Sequence, residues 1–351
     1  MKILILGGTG AMGKHLANLL ASENEINVTS RGKHSNIENI QYIHGNAKDI
    51  LFLSDLLKNN YDAIVDFLSY TTEEFNERFS FFLNKTSHYL FLSSSRVYAA
   101  SQTPLCEDSP RLLDTINDEK YLSTDEYALC KARCEDLLLS SKKNNWTIIR
   151  PYITYAENRF QLGVLEKEYW LFRAINGKKI LFSEDIAEKT TTMTYGGDVA
   201  RAIKALIGNP KALGEAFHIT CDYSCSWNEI LNTYLDILEK HLNRRPEVFY
   251  TKQSTNLIRG KYQILYDRYY NRTFDNSKIK GIVNTNDFLM PQEGLKMSLE
   301  AFLKKPLFSN FHAGAAEARA DHITGDAPNF FIIPGTRQKI NYILAYFMKQ
   351  Q

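Results

Sequence analysis

No stretch of this sequence approaches the run of about 18 apolar residues that a membrane span needs. An excess of one charge is missing too. The chain carries 42 Lys and Arg against 40 Asp and Glu, a net charge of +2, which gives nucleic acid no bulk electrostatic hold. Cysteine is sparse, five residues in all. Cys130 and Cys134 fall in line with Leu137 and Leu138 and read as core, while Cys221 and Cys225 lack histidines at zinc spacing, so no metal is assigned. Met1-Lys2-Ile3 leads straight into an apolar run with no signal-like segment, and a reducing cytoplasm is the expected location. What is present is 351 residues, 44% hydrophobic and 23% charged, ample for one large α/β domain with a smaller lobe.

Residues 2–6, Lys-Ile-Leu-Ile-Leu, read as a buried parallel strand. The turn Gly7-Gly8-Thr9-Gly10-Ala11-Met12-Gly13 follows, then an amphipathic stretch to Leu20. Strand, glycine turn and helix form the context of a dinucleotide fingerprint. Gly7 would permit the tight turn, Gly10 the approach of backbone to pyrophosphate, and Gly13 close helix-to-strand packing. Gly7, Thr9, Gly10, Ala11, Met12 and Gly13 are therefore candidate cofactor contacts. The second strand, 26–30, ends in Ser30-Arg31 and has no acid at its tip. An acid there selects NAD, whereas Arg31 and Ser30 suit the 2′-phosphate of NADP. NADP is favoured over NAD on this ground.

A third element lies further on. The strand 88–92 is followed by Ser93-Ser94-Ser95-Arg96-Val97-Tyr98, and Ser123-Thr124-Asp125-Glu126 opens a helix with a capping-box pattern. Tyr127, Lys131 and Glu135 then share one helix face at four-residue steps. A phenol ionises near pH 10, and a neighbouring ammonium favours its phenolate, so a Tyr-x-x-x-Lys pair can supply a base for a hydroxyl proton.

The wide glycine spacing, the Ser-Ser-x-x-Val-Tyr strand end and Tyr-x-x-x-Lys together resemble the extended and atypical short-chain dehydrogenase/reductases, the NAD-dependent epimerase/dehydratase branch that acts on nucleotide sugars. Trp146 to Pro151, the Asp198-Val199-Ala200 entry and the 214–220 strand extend the resemblance. It implies catalytic roles for Ser94, Tyr127 and Lys131, with Lys131 and Tyr127 also meeting the cofactor. It further implies an adenine-side turn at Gly45 to Asp49, a ribose-side loop at Asp66, Phe67 and Leu68, and a contact at Pro151. Dehydratases of this group carry an Asp-Glu pair where this chain has Ser95 and Arg96, which argues against a standard 4,6-dehydratase. Epimerisation of a nucleotide sugar is the leading expectation. An NADPH-dependent ketone or sugar reductase and a non-catalytic dinucleotide- or RNA-binding relative are the alternatives.

Strand candidates 2–6, 26–30, 40–43, 62–66, 88–92, 146–150 and 216–220, mostly separated by helical stretches, imply a Rossmann-like, doubly wound parallel sheet. The expected dinucleotide domain is 1–151 with roughly 191–220. Residues 152–190 and 221–305 would form a smaller α/β substrate lobe, and 306–351 an extension of unknown role. Ser95, Arg96, Tyr155, Asn158, Arg159, Arg173, Arg268 and Arg272 are candidate substrate contacts, the arginines as forks for a diphosphate. Ile340, Ile343, Leu344 and Phe347 recur at helical spacing and predict a final helix docked on the lobe or on a second copy in a homodimer, with a membrane-surface role disfavoured by its few cations.

Overall fold

The apolar run after Met1 forms strand β1 (Lys2–Leu6), and its side chains alternate between two cores. Ile3 and Ile5 bury in one cluster, with Leu16, Val28, Val65 and Val199. Leu4 and Leu6 bury in the other, with Leu53, Ile64, Phe91 and Ile148. A strand covered on both faces has no use for polar alternation, which is why it reads as continuous hydrophobe. Each such side chain contributes about 1.5–3 kcal/mol by leaving water.

The chain is described as a computed structural model covering residues 1–257, 260–308 and 311–347. Positions 258–259 of the expected lobe, and 309–310 and 348–351 of the expected extension, lie outside the described residues. Six further strands join β1: β2 (Glu25–Ser30), β3 (Ile40–His44), β4 (Tyr61–Asp66), β5 (Thr86–Leu92), β6 (Trp146–Pro151) and β7 (Glu215–Ile219). Their order is β3-β2-β1-β4-β5-β6-β7, with every pairing parallel. Strand order reverses between β1 and β4, and in such sheets the crevice at the carboxyl ends of those strands takes the ligand. Helix α1 (Gly13–Leu20) buries Leu16, Ala17 and Leu20 on the first cluster, and α2 (Ile50–Leu56) buries Leu53 and Leu56 on the second. Helices α3 (Tyr127–Leu139) and α4 (Gly196–Leu206) complete the covering layers used below.

Two compact units result. The first holds Met1–Ala156, Thr192–Ser224 and Arg272–Pro291; the second holds Glu157–Thr191, Cys225–Asn271 and Gln292–Gln351. The return of 272–291 to the sheet unit differs from the single 221–305 stretch that the sequence suggests. Ile279 and Phe288 bury in the β1 cluster, and Asn276 exchanges hydrogen bonds with Thr220 just beyond β7, donating to its carbonyl and accepting from its hydroxyl, both at 2.9 Å.

The second unit pairs a short strand, Ile180–Ser183, with Val248–Thr251 and carries helix α5 (Trp227–Leu242), whose start is a capping box of Ser226 and Glu229. Its end is a helical hairpin, α6 (Gly314–Thr324) and α7 (Thr336–Phe347), which buries Ala318 and Tyr342 against Phe172 and Phe311.

Candidate active site

A cleft of about 470 Å³ opens at the strand ends of the first unit. Gly7, Thr9 and Gly10 line it from the turn, Ser30 and Arg31 from β2, Gly45 to Lys48 from the end of β3, and Phe67 to Ser69 from the end of β4. Gly7 has φ +68°, a conformation that a side chain would strain. A Cβ on Gly13 would lie 2.5 Å from the Cα of Gly8, so the helix can start this close to the strand only with glycine there. A Cβ on Gly10 would meet nothing within 4 Å, which leaves that edge of the cleft open to a ligand. No side chain caps α1 and no acid lies in its first turn, so the positive end of the helix that follows the turn is uncompensated by either.

The remaining cofactor candidates divide. Arg31 is exposed, with no partner to its guanidinium among the described residues. The Ser30 hydroxyl is engaged, accepting from Gly32 N–H and sharing a hydrogen bond with His34 Nε2, each at 3.1 Å. Met12 turns its side chain into the core, and Ala11 places its carbonyl 2.3 Å from where a Cβ of Gly196 would lie. Asp49 caps α2, accepting from Leu51 and Phe52 N–H. Asp66 is wholly buried and accepts from the Tyr70 and Tyr89 hydroxyls and from Leu68 N–H. Burial pushes its carboxyl up. Asp49 and Asp66 thus shape the loops rather than line the cleft, and Pro151, buried at the end of β6, lies outside its lining. Thr29 and His34 escaped the sequence reading. Thr29 accepts from Gly7 N–H at 3.0 Å, and His34 packs on Tyr42 with ring centroids 5.0 Å apart.

Near the end of β5 the structure brings Tyr127 and Lys131 together, with Ser94 two residues past Leu92, whose carbonyl Lys131 holds. Helix α3 starts at Tyr127, and its cap is Glu126, which accepts from Ala128 N–H at 2.9 Å. The Ser123 cap that the sequence suggests does not form, because that hydroxyl donates to Lys120 O instead. Tyr127 is 39% exposed, unusual for a ring at the head of a buried helix. One turn on, Lys131 is buried, donates to Leu92 O at 2.6 Å, and stands 5.9 Å from the Tyr127 ring centroid. Ser94 accepts from Arg96 N–H at 3.2 Å, which leaves its hydroxyl proton to donate.

The same helix is fastened a turn deeper. Glu135 is fully buried, takes the Ser93 hydroxyl at 2.5 Å, and is gripped by Arg150 through Nε at 2.9 Å and Nη2 at 2.8 Å. Ser95, offered by sequence as a substrate contact, is sealed and donates to Arg150 O at 2.7 Å. Arg96 lies over the Tyr127 ring, its Cζ 5.3 Å from the centroid, and pairs with Glu126 at 2.6 Å.

The other substrate candidates mostly turn inward. Arg173 is fully buried and gives its donors to Glu317 at 2.7 Å, Asp321 at 2.9 Å and Asp326 at 2.6 Å. Arg268 is buried over Trp227 and bonded to Asp267, Gly163 O and Gln161. Arg272 is buried and donates to the Tyr98 and Ala99 carbonyls. These three arginines are internal struts, a correction to the expected diphosphate forks. Tyr155 is sealed in the first unit, while Asn158 and Arg159 are exposed, Arg159 3.6 Å from Glu166.

Among the described residues no cluster of histidine, cysteine or carboxylate could hold a metal ion, and no helix is long and apolar enough to cross a membrane. No curated protein matches the sequence. Solved structures do resemble it. UDP-glucuronic acid 4-epimerase from Bacillus cereus, in complex with NAD, is 18% identical with a TM-score of 0.65, covering 87% of this chain and 99% of that one. dTDP-glucose 4,6-dehydratase from Bacillus anthracis, also with NAD, is 16% identical at 0.65, covering 87% and 97%. UDP-N-acetylglucosamine 4-epimerase from Methanobrevibacter ruminantium, in complex with UDP-N-acetylmuramic acid, is 19% identical at 0.65, covering 87% and 98%. The model of the NAD dependent epimerase/dehydratase family matches residues 3–220, more than half of the chain. With that match and a seven-stranded parallel sheet reversed at β1, the chain belongs to the NAD dependent epimerase/dehydratase family of enzymes.

Proposed function

We propose that this enzyme epimerises a nucleotide sugar through transient oxidation of a sugar hydroxyl. The observation that carries the reading is the half-exposed Tyr127 at the head of α3, with Lys131 one turn behind it and Ser94 at the neighbouring strand end. In this reading Ser94 donates to the substrate oxygen and orients it. Tyr127 Oη takes the hydroxyl proton as general base, a role worth on the order of 100-fold or more in rate. Lys131 holds the nicotinamide ribose. The glycine turn and the uncapped start of α1 hold the pyrophosphate. When bound, the dinucleotide supplies reversible hydride acceptance at the sugar carbon, so the ketone can be reduced again from its other face. Arg31 takes the 2′-phosphate of NADP in preference to the bare ribose of NAD. Family membership and the nucleotide sugars bound by the similar structures support the substrate class.

The exposed Arg31 also favours a second reading, a reductase that exchanges NADPH at each turnover. One experiment separates the two. The purified protein is examined by native mass spectrometry for retained dinucleotide, then incubated with a panel of nucleotide sugars while products and absorbance at the reduced nicotinamide band are followed. Retained cofactor and isomerised sugar without net cofactor consumption support the epimerase. Stoichiometric NADPH consumption on a ketone or free sugar, with no nucleotide sugar isomerised, replaces it with the reductase.

A further inference from the structure

Arg96 stands beside the trio with a chemistry that the proposed reaction leaves unused. It lies in the short 3₁₀ turn Ser95–Val97, and its backbone N–H already holds the Ser94 hydroxyl. Its side chain is 13% exposed, deep for a permanent cation. Of its five N–H donors, one is spent within the described residues, from Nη2 to Glu126. Nε is sealed from solvent without an acceptor among the described residues, and no described group is bonded to Nη1. No ligand reaches the sealed Nε, but Nη1 is neither sealed nor bonded, and an unspent donor of a deeply set guanidinium beside the ring of the proposed base points to a ligand that takes it up.

Glu126 does not serve as that ligand, because its carboxylate is committed elsewhere as well. It caps α3 through Ala128 N–H and accepts from Tyr121 Oη at 3.0 Å. The arrangement fixes Arg96 in place instead. A guanidinium held by a helix cap and stacked on a ring has little conformational entropy left to lose on binding. The local charge also favours an anion. Lys131 and Arg96 bring two positive charges to the Tyr127 ring, against the single carboxylate of Glu126.

We infer that Arg96 receives a carboxylate carried by the sugar, on a carbon next to the one whose hydroxyl Tyr127 deprotonates, and so selects acidic sugars over neutral ones. A carboxylate is planar and offers two acceptor oxygens that match the guanidinium fork, whereas a hydroxyl in that place offers only one oxygen. This inference rests on the nucleotide-sugar reading above.

The test is calorimetric titration of the full chain, saturated with NADP or NAD. Three probes are used in each of the uridine, guanosine and thymidine series: the nucleoside diphosphate, the same nucleotide bearing a neutral hexose, and the same bearing the matching hexuronate. In the wild type the hexuronate should bind on the order of 10- to 100-fold more tightly than the hexose, the scale of a hydrogen bond to a charged group. That ratio should collapse toward one, or invert because Glu126 remains, in Arg96→Ala and Arg96→Gln. Arg96→Lys, which keeps the charge and the pairing with Glu126 but not the fork, should retain part of it and guards against misfolding of the truncated variants. A wild-type ratio near one, or a ratio unchanged in all three variants, overturns the selector role and leaves Arg96 as a strut for Glu126. If no nucleoside diphosphate of any series binds the wild type, the nucleotide-sugar reading itself has failed and the inference goes with it.

Discussion

The cleft of the sheet unit and the helical hairpin of the second unit are both built around arginine, and they use it in opposite ways. In the hairpin, Arg173 spends its guanidinium on Glu317, Asp321 and Asp326, with Lys178 adding a bond to Asp321 at 2.5 Å and Tyr342 another. At the cleft, Arg31 is exposed with nothing bonded to its guanidinium among the described residues. The acceptors available to each side chain, rather than its charge, separate a strut from a guanidinium left free for a ligand.

The comparison breaks most visibly at Arg173. Truncation to alanine takes one cationic partner from three carboxylates, two of them fully buried, and leaves Lys178 as the cation on those two; breaking a buried pair costs about 3–5 kcal/mol. Urea denaturation should show an unfolding free energy lowered by that amount, while dinucleotide affinity of the folded protein stays at the wild-type value. Weakened dinucleotide binding with unchanged stability would return Arg173 to the ligand-binding set.

Acid should act on the sheet unit through two histidines that the fold keeps neutral. His88 accepts from Gly208 N–H at Nδ1 and bonds Thr147 at Nε2, and His218 bonds Asp275 O. Burial lowers both pKa values from 6.5 to about 4. The unfolded chain therefore binds protons near pH 6.5 that the native state refuses until about pH 4. Their contribution is complete above pH 6.5 and is lost as pH falls through that window, by about 3 kcal/mol for each histidine. Glu317 of the hairpin and Asp66 of the sheet, both raised by burial, act in the opposite sense within the carboxylate range. Thermal melts between pH 7.5 and 5 should fall steadily, and His88→Gln should flatten part of that slope. A flat profile would show that the two rings are not held neutral.

Arg31 gives the smallest and most selective effect. Arg31→Ala should weaken NADP(H) by about 1.5–3 kcal/mol, the range for hydrogen bonds to charged groups, while NAD(H) changes little and the denaturation midpoint stays put. Equal loss for both cofactors, or protein isolated loaded with NAD, would overturn the NADP preference.

Much of the first unit was legible in the sequence because its physics is local. Buried parallel strands appear as apolar runs, and the seven expected strands match the sheet to within two residues at either end. Tyr127 and Lys131 announced themselves by helical spacing, and the glycines of the turn by crowding that their positions impose. What escaped depends on distant partners. The acids that consume Arg173 lie more than 140 residues away, and nothing near Arg173 signals them. Residues 272–291 rejoin the sheet unit through Asn276 and Ile279, again a long-range event. Asp66 and Asp49 have the residue type of cofactor contacts, yet nearby hydroxyl and backbone donors claim them first. The Ser123 cap lost a local competition, since Glu126 sits closer to the true helix start.

The central claim is that Tyr127 moves the proton in the dinucleotide-dependent step. Turnover and dinucleotide affinity of Tyr127→Phe should be measured side by side on the same preparation, with an accepted nucleotide sugar as substrate. Loss of a general base predicts a fall in kcat on the order of 100-fold or more, with the dinucleotide Kd and the melting temperature unchanged because the ring remains in place. A kcat within a few-fold of wild type would remove Tyr127 from the mechanism.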